Sequence, residues 1–222
     1  MSSDASLNYW DILKVRRSSL ALVSYCIAYS VLYSLEPTLA IKLEEDFDFS
    51  TSKVGLFFGL LFFGQIVTGV ISLGIPENRD KRPVLLVSYF LQFTAPLMVG
   101  PSEVLHFPNT PGLVGGGLFL GGGGRGLMVG FTASEAILGA SRVFSDHQTR
   151  ISDLVSSLYC FADGLAMTIF PIIGSALTEH LGFGRAQEVI GLLVLMVFIL
   201  FLISSVCDWR RESLRESETL EK

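Results

Sequence analysis

Four ionisable side chains lie inside long apolar runs of this chain: Glu36, Arg125, Glu135 and Asp163. A charge in hydrocarbon costs roughly 2.5–3.5 kcal/mol on insertion scales, so such residues face a partner, a cavity or a helix end rather than lipid. Glu36 is followed at once by Pro37 in YSVLYSLEPTLAI. Proline removes a backbone donor, and the expectation is a broken helix carrying an acid that water, protons or a substrate can reach. Pro171, in the run that holds Asp163, is expected to break its helix too. The plainer reading of Glu36 is a helix-end acid, since the run stops near Ile41.

Arg125 sits within GGGLFLGGGGRGLMVG at 115–130, and Asp163 within YCFADGLAM. The two fall at similar depth if their helices span, so Asp163 is the expected partner of Arg125 and Glu36 the second choice. Glu135 lies about ten residues beyond Arg125, roughly 15 Å at the helical rise. It reads equally well as an interfacial acid and as a functional one. Gly122, Gly126, Gly130 and Ser134 recur at every fourth position, a stripe of small residues along which another helix can approach closely. The glycines also mimic a phosphate-binding loop, but no strand precedes them and the run has membrane length.

These residues need long helices to place them. The chain has 222 residues, half of them hydrophobic and 17% charged, below the roughly 25% charge of soluble domains. Six runs reach the ~20 residues that a bilayer core demands: 18–41, 52–75, 83–99, 113–138, 151–177 and 186–206. The expected organisation is a polar segment at 1–17, a six-helix bundle at 18–207 and a polar tail at 208–222. Lys and Arg number twelve in the N-terminal segment, the 76–82 turn, the 139–150 loop and the tail, against three in the opposite loops. This asymmetry predicts that both termini are cytoplasmic. The acidic residues at 44–48 then face the lumen or the exterior.

Cys26, Cys160 and Cys207 fall in apolar runs without metal-ligand spacing and read as small hydrophobes. His106, His147 and His180 lie in or near loops, so no metal, cofactor or enzymatic centre is expected. No basic patch with interleaved aromatics suggests nucleic acid.

The stretch SLEPTLAIKLEEDFDFSTSKVGLFFG resembles the seventh and eighth helices of major facilitator transporters of the vesicular amine and polyamine group. LYCFADGLAMTIFPIIGSALTEHLGFGRA resembles that group's eleventh helix, and PENRDKRP takes the place of its loop between the second and third helices of each half. The resemblance covers about 10–207 and corresponds to the C-terminal six-helix half. It implies an all-α membrane protein that forms one half of a major facilitator fold in a vesicular, vacuolar or plasma membrane.

It also implies transport, by proton-coupled exchange, of a small organic cation such as an amine or polyamine. Glu36 and Asp163 match the acids of that group that serve proton coupling and cation binding, and Glu135 falls close to a third. Arg125 and its glycines depart from the pattern. Desolvation favours the neutral form of an acid, which suits Glu36 to proton exchange, while Asp163 is expected to stay ionised against Arg125. One half supplies one wall of a cavity, so a second six-helix half or a second copy is expected opposite. The alternative is a non-transporting membrane subunit, or a truncated product, that assembles through its glycine-rich helix.

Overall fold

The structure, a computed structural model, describes residues 7–76, 80–102 and 105–220, with side chains as far as Arg210. Arg79, Arg211, Arg215 and Lys222, which contribute to the charge asymmetry, lie outside the described side chains. The chain folds into a short helix α1 (Tyr9–Lys14) and six long ones: α2 (Arg16–Phe47), α3 (Thr51–Leu73), α4 (Arg82–Val99), α5 (Pro111–Ser141), α6 (Gln148–Leu181) and α7 (Phe183–Leu220). A single 3-10 turn, Ser145–His147, leads into α6.

Apolar runs in lipid become helices because every backbone polar group must be satisfied within the segment. Five of the six long helices are apolar enough to cross a membrane. The other, α5, is 31 residues long, but its glycines and Arg125 dilute its hydropathy. The ends are set locally. Asp48, at φ 50°, closes α2 with its N–H on the Glu44 carbonyl. Thr110 caps α5 and Pro111 fills its first turn, where no N–H is needed. Gly182, at φ 82°, supplies the turn between α6 and α7 that other residues adopt only under strain.

α5 and α2 form the middle of the bundle. α3 and α4 pack on α5, α6 packs on α2, and α7 packs on α4. Large apolar side chains face outward from α3 (Leu56, Phe63, Ile66, Val70) and from α6 (Phe161, Leu165, Met167, Ile172). Such a belt fits lipid or a further helical layer rather than water.

Four expectations are corrected. Pro37 and Pro171 break nothing, since α2 and α6 run straight through them. Each proline costs the one bond its missing N–H would have made, to the carbonyl of Tyr33 or of Met167, and in lipid a helix short of one bond is better than no helix. The first helix does not stop at Ile41. It continues through Lys42–Phe47, where Lys42 pairs with Asp46 one turn on. The segment before residue 18 is not merely a polar leader. α1 carries a capping box between Asn8 and Asp11, and Leu7 and Ile12 are buried against Ile151, Leu154 and Val155 of α6.

Candidate functional site

The glycines decide where the Arg125 side chain can go. A Cβ at Gly122 would collide with the Leu61 carbonyl of α3, and one at Gly126 would lie 2.8 Å from the Gln65 carbonyl and against the Thr68 hydroxyl. Gly117 and Gly124 meet α4 in the same way, at Met98 and at the Ser88 carbonyl (2.8 and 2.9 Å). α3 and α4 therefore clasp α5 on two faces, backbone to backbone. Arg125 projects from the third face, toward α2. The expected stripe is shared out unequally. Gly122 and Gly126 are filled by α3 of the same chain, whereas Gly130 only grazes Ser72 at 3.8 Å and Ser134 is exposed. Assembly with another chain through Gly122 and Gly126 is therefore ruled out by occupancy.

On α2, Tyr25, Tyr29 and Tyr33 recur every fourth residue and so line up on one face. Ring centroids lie 5.0 Å apart for Tyr25 and Tyr29, and 5.3 Å apart for the stacked Tyr29 and Tyr33. Tyr159 of α6 extends the column beside Tyr25 at 4.5 Å. The Arg125 guanidinium lies over the Tyr29 ring, 4.4 Å from its centroid. The Tyr33 hydroxyl donates to Oδ1 of Asp163 at 3.4 Å.

The expected ion pair between Arg125 and Asp163 is therefore absent, and so is the one with Glu36. The reason is the column itself. The guanidinium lies over Tyr29, a contact worth up to ~2 kcal/mol when desolvated, and Tyr33, stacked on Tyr29, engages the Asp163 carboxylate instead. Glu36, one turn beyond Tyr33 on the same side of α2, is exposed and makes no hydrogen bond among the described residues. Asp163 is half-buried and meets no cation among them.

Glu135 has a partner that the sequence reading missed. Its Oε1 lies 2.6 Å from Nε of Arg17 at the start of α2, and the Glu135 side chain is 2% exposed. Beside it, the Ser18 hydroxyl donates to the Ala136 carbonyl at 2.8 Å. Arg17 entered the sequence analysis only as an orientation charge. The overlooked signal was that an acid displaced toward the basic end of one helix needs a cation at that end of another. Glu135 also borders an open cleft of about 680 Å3, lined by Ser72, Lys81, Ser134 and Gln148 among others. Lys81 reaches over the Phe131 ring at 5.2 Å and donates to the Pro76 carbonyl at 2.5 Å.

At the same end, α7 is fastened to the turn between α3 and α4. Trp209 donates its ring N–H to Asp80 at 2.7 Å, while Arg82 bonds the same carboxylate at 2.9 Å and lies over the Trp209 ring. Burial pushes the Asp80 carboxyl up, but the bonds from Arg82 and Trp209 outweigh it and hold it below the usual carboxylate range.

Comparisons with known proteins bear on the family of the chain. The family model described as Major Facilitator Superfamily matches residues 21–222. The MFS-type transporter SLC18B1 of Mus musculus is 26% identical over 88% of this chain and 43% of its own length. The Rattus norvegicus protein of the same name is 26% identical over 95% of this chain and 46% of its own. The chain thus spans about half the length of the curated relatives it matches. No solved structure matches. The family match runs from the first long helix to the last residue, and the chain belongs to the major facilitator superfamily.

Proposed function

We propose that the chain forms one wall of a transport cavity, through which a small organic cation is exchanged for protons, with a second six-helix half or a second copy as the opposite wall. The observation that carries this reading is Asp163. It is a half-buried carboxylate within the α6 span, held by a tyrosine hydroxyl and left without a cation among the described residues. A carboxylate kept in a membrane without a counter-charge suits a site whose counter-charge arrives with the solute. The exposure of Glu36 on the same side of α2 supports it as the acid that takes the exchanged proton. The charge asymmetry supports cytoplasmic termini, with Glu36 toward the outer mouth.

Vesicles bearing the chain and its opposite half, loaded to set a proton gradient, test this directly. Glu36→Gln is expected to abolish gradient-driven amine uptake while leaving abundance unchanged. Asp163→Asn is expected to abolish amine binding, again at normal abundance, because no ion pair is lost. Normal uptake by both variants would refute the reading.

A further inference from the structure

The Arg125 side chain is only 9% exposed, yet no carboxylate lies within ion-pair distance of it among the described residues. The contact with the Tyr29 ring gives the guanidinium no hydrogen-bond acceptor among the described residues. Nε and Nη1 are sealed from solvent and have no acceptor. Nη2 is not sealed, and it is the nitrogen through which the group can be reached. Behind the guanidinium lies a void of about 10 Å3, bordered by Arg125, Gln92 and Ala28. It has room for about one water, and the Oε1 of Gln92, itself without a partner, is available to hold it. Nε and Nη1 thus face protein, and Nη2 is the nitrogen left for a ligand.

The acids that could have neutralised it are spent elsewhere or out of reach. Glu135 belongs to Arg17, Asp163 to the Tyr33 hydroxyl, and Glu36 points into the open. A fixed cation at this place also repels a solute that brings only positive charge. Leaving an arginine buried and unpaired is costly, and the clasp of α3 and α4 on α5 aims it at the side where Asp163 stands.

We propose that Arg125 receives an acidic group of the transported solute, so that the solute is a short zwitterion: its ammonium meets Asp163 and its carboxylate meets Arg125, on either side of the stacked Tyr29 and Tyr33. This rests on the reading of Asp163 as the cation site and adds the second charge. Arginine suits the task, since it stays ionised at all relevant pH and a single N–H of Nη2 can make a charge-assisted hydrogen bond to a carboxylate oxygen.

The test compares four probes of one chain length, namely 4-aminobutyrate, n-butylamine, putrescine and butyrate, in calorimetric titrations of the full chain with its opposite half in lipid nanodiscs. The wild type is expected to bind 4-aminobutyrate at least about tenfold more tightly than n-butylamine or putrescine, the equivalent of one charge-assisted hydrogen bond. Arg125→Gln should erase that preference without weakening n-butylamine, Arg125→Lys should keep part of it, and Asp163→Asn should weaken both amines and the zwitterion. Should Arg125→Gln fail to fold, the wild-type ratio still decides. Putrescine bound as tightly as 4-aminobutyrate would overturn the zwitterion and leave the cation transporter standing. Equal binding of the amines and the zwitterion, with loss of assembly in Arg125→Gln, would assign Arg125 to a carboxylate of the opposite half and overturn the proposal. Butyrate bound as tightly as the zwitterion, regardless of Asp163, would overturn the cation site instead. No binding of any probe would overturn both.

Discussion

Arg17 and Glu135 meet at 2.6 Å and tie α2 to α5 at the basic end of the bundle. About three turns further along the same two helices, Arg125 faces Tyr29 and meets no acid. The same charge types on the same helix pair thus give a closed contact at one end and an open one in the middle. What separates the outcomes is the material between the helices. At the end, small residues bring the backbones together: Gly139 lies against Arg17 and Ser18, and Ala136 accepts from Ser18. In the middle, tyrosine rings hold the charges apart. A closed pair locks two helices, whereas a charge backed by an aromatic ring remains available to something that enters.

The sharpest way to break this contrast is to remove one cation from each region. Arg17→Ala strands the buried Glu135 carboxylate and is expected to cost about 3–5 kcal/mol, the usual loss for half of a buried pair. Arg125→Met strands no acid and should leave the melting temperature nearly unchanged. Thermal melts of the two detergent-solubilised variants, followed by size-exclusion recovery, compare them directly. Equal losses would mean that the open contact is as structural as the closed one.

The clasp that aims Arg125 gives a second, smaller contrast. Gly122→Leu forces a side chain into the backbone of α3 and is expected to cost about 3 kcal/mol, at the upper end of overpacking penalties. Gly130→Ala adds a methyl 3.8 Å from Ser72, an ordinary contact, and should be tolerated. Expression and melting of the two variants test whether the stripe is used along only part of its length. The smallest effect concerns pH at the basic end. Since the Asp80 carboxyl is held below its ordinary value of 3.8, its contribution is complete above that value. The contribution fades as pH falls through the lower, folded one. Trp209 fluorescence, set against Trp10, should therefore be flat from neutral pH to about 5 and change only in stronger acid. Asp80→Asn should remove that change.

The six helices were legible because span length is a property of contiguous residues. The Arg17–Glu135 pair was not, because its members are 118 residues apart and nothing in either run names the other. The tyrosine column was in plain sight at every fourth position. It was passed over because tyrosine in an apolar run counts as apolar until its ring is needed to hold a cation. The glycine run was read as one stripe, but at 3.6 residues per turn so dense a run covers two faces, and α4 uses the second through Gly117 and Gly124. Pro37 was read by the broken-helix pattern of membrane transporters, yet α2 continues through it. In a membrane the alternatives to helix are worse than one lost bond.

The clasp around α5 also bears on the order in which the protein is made. α5 falls short of the apolar window that the other five long helices reach, and it carries an arginine near its centre. Translation delivers α3 and α4 to the membrane first. Their exposed carbonyls at Leu61, Gln65 and Ser88 form a seat that only a nearly side-chain-free helix can enter. α5 thus gains its place from protein already inserted rather than from lipid. Glycine makes the late arrival possible, and the seat fixes its rotation before α6 brings Asp163 to the column.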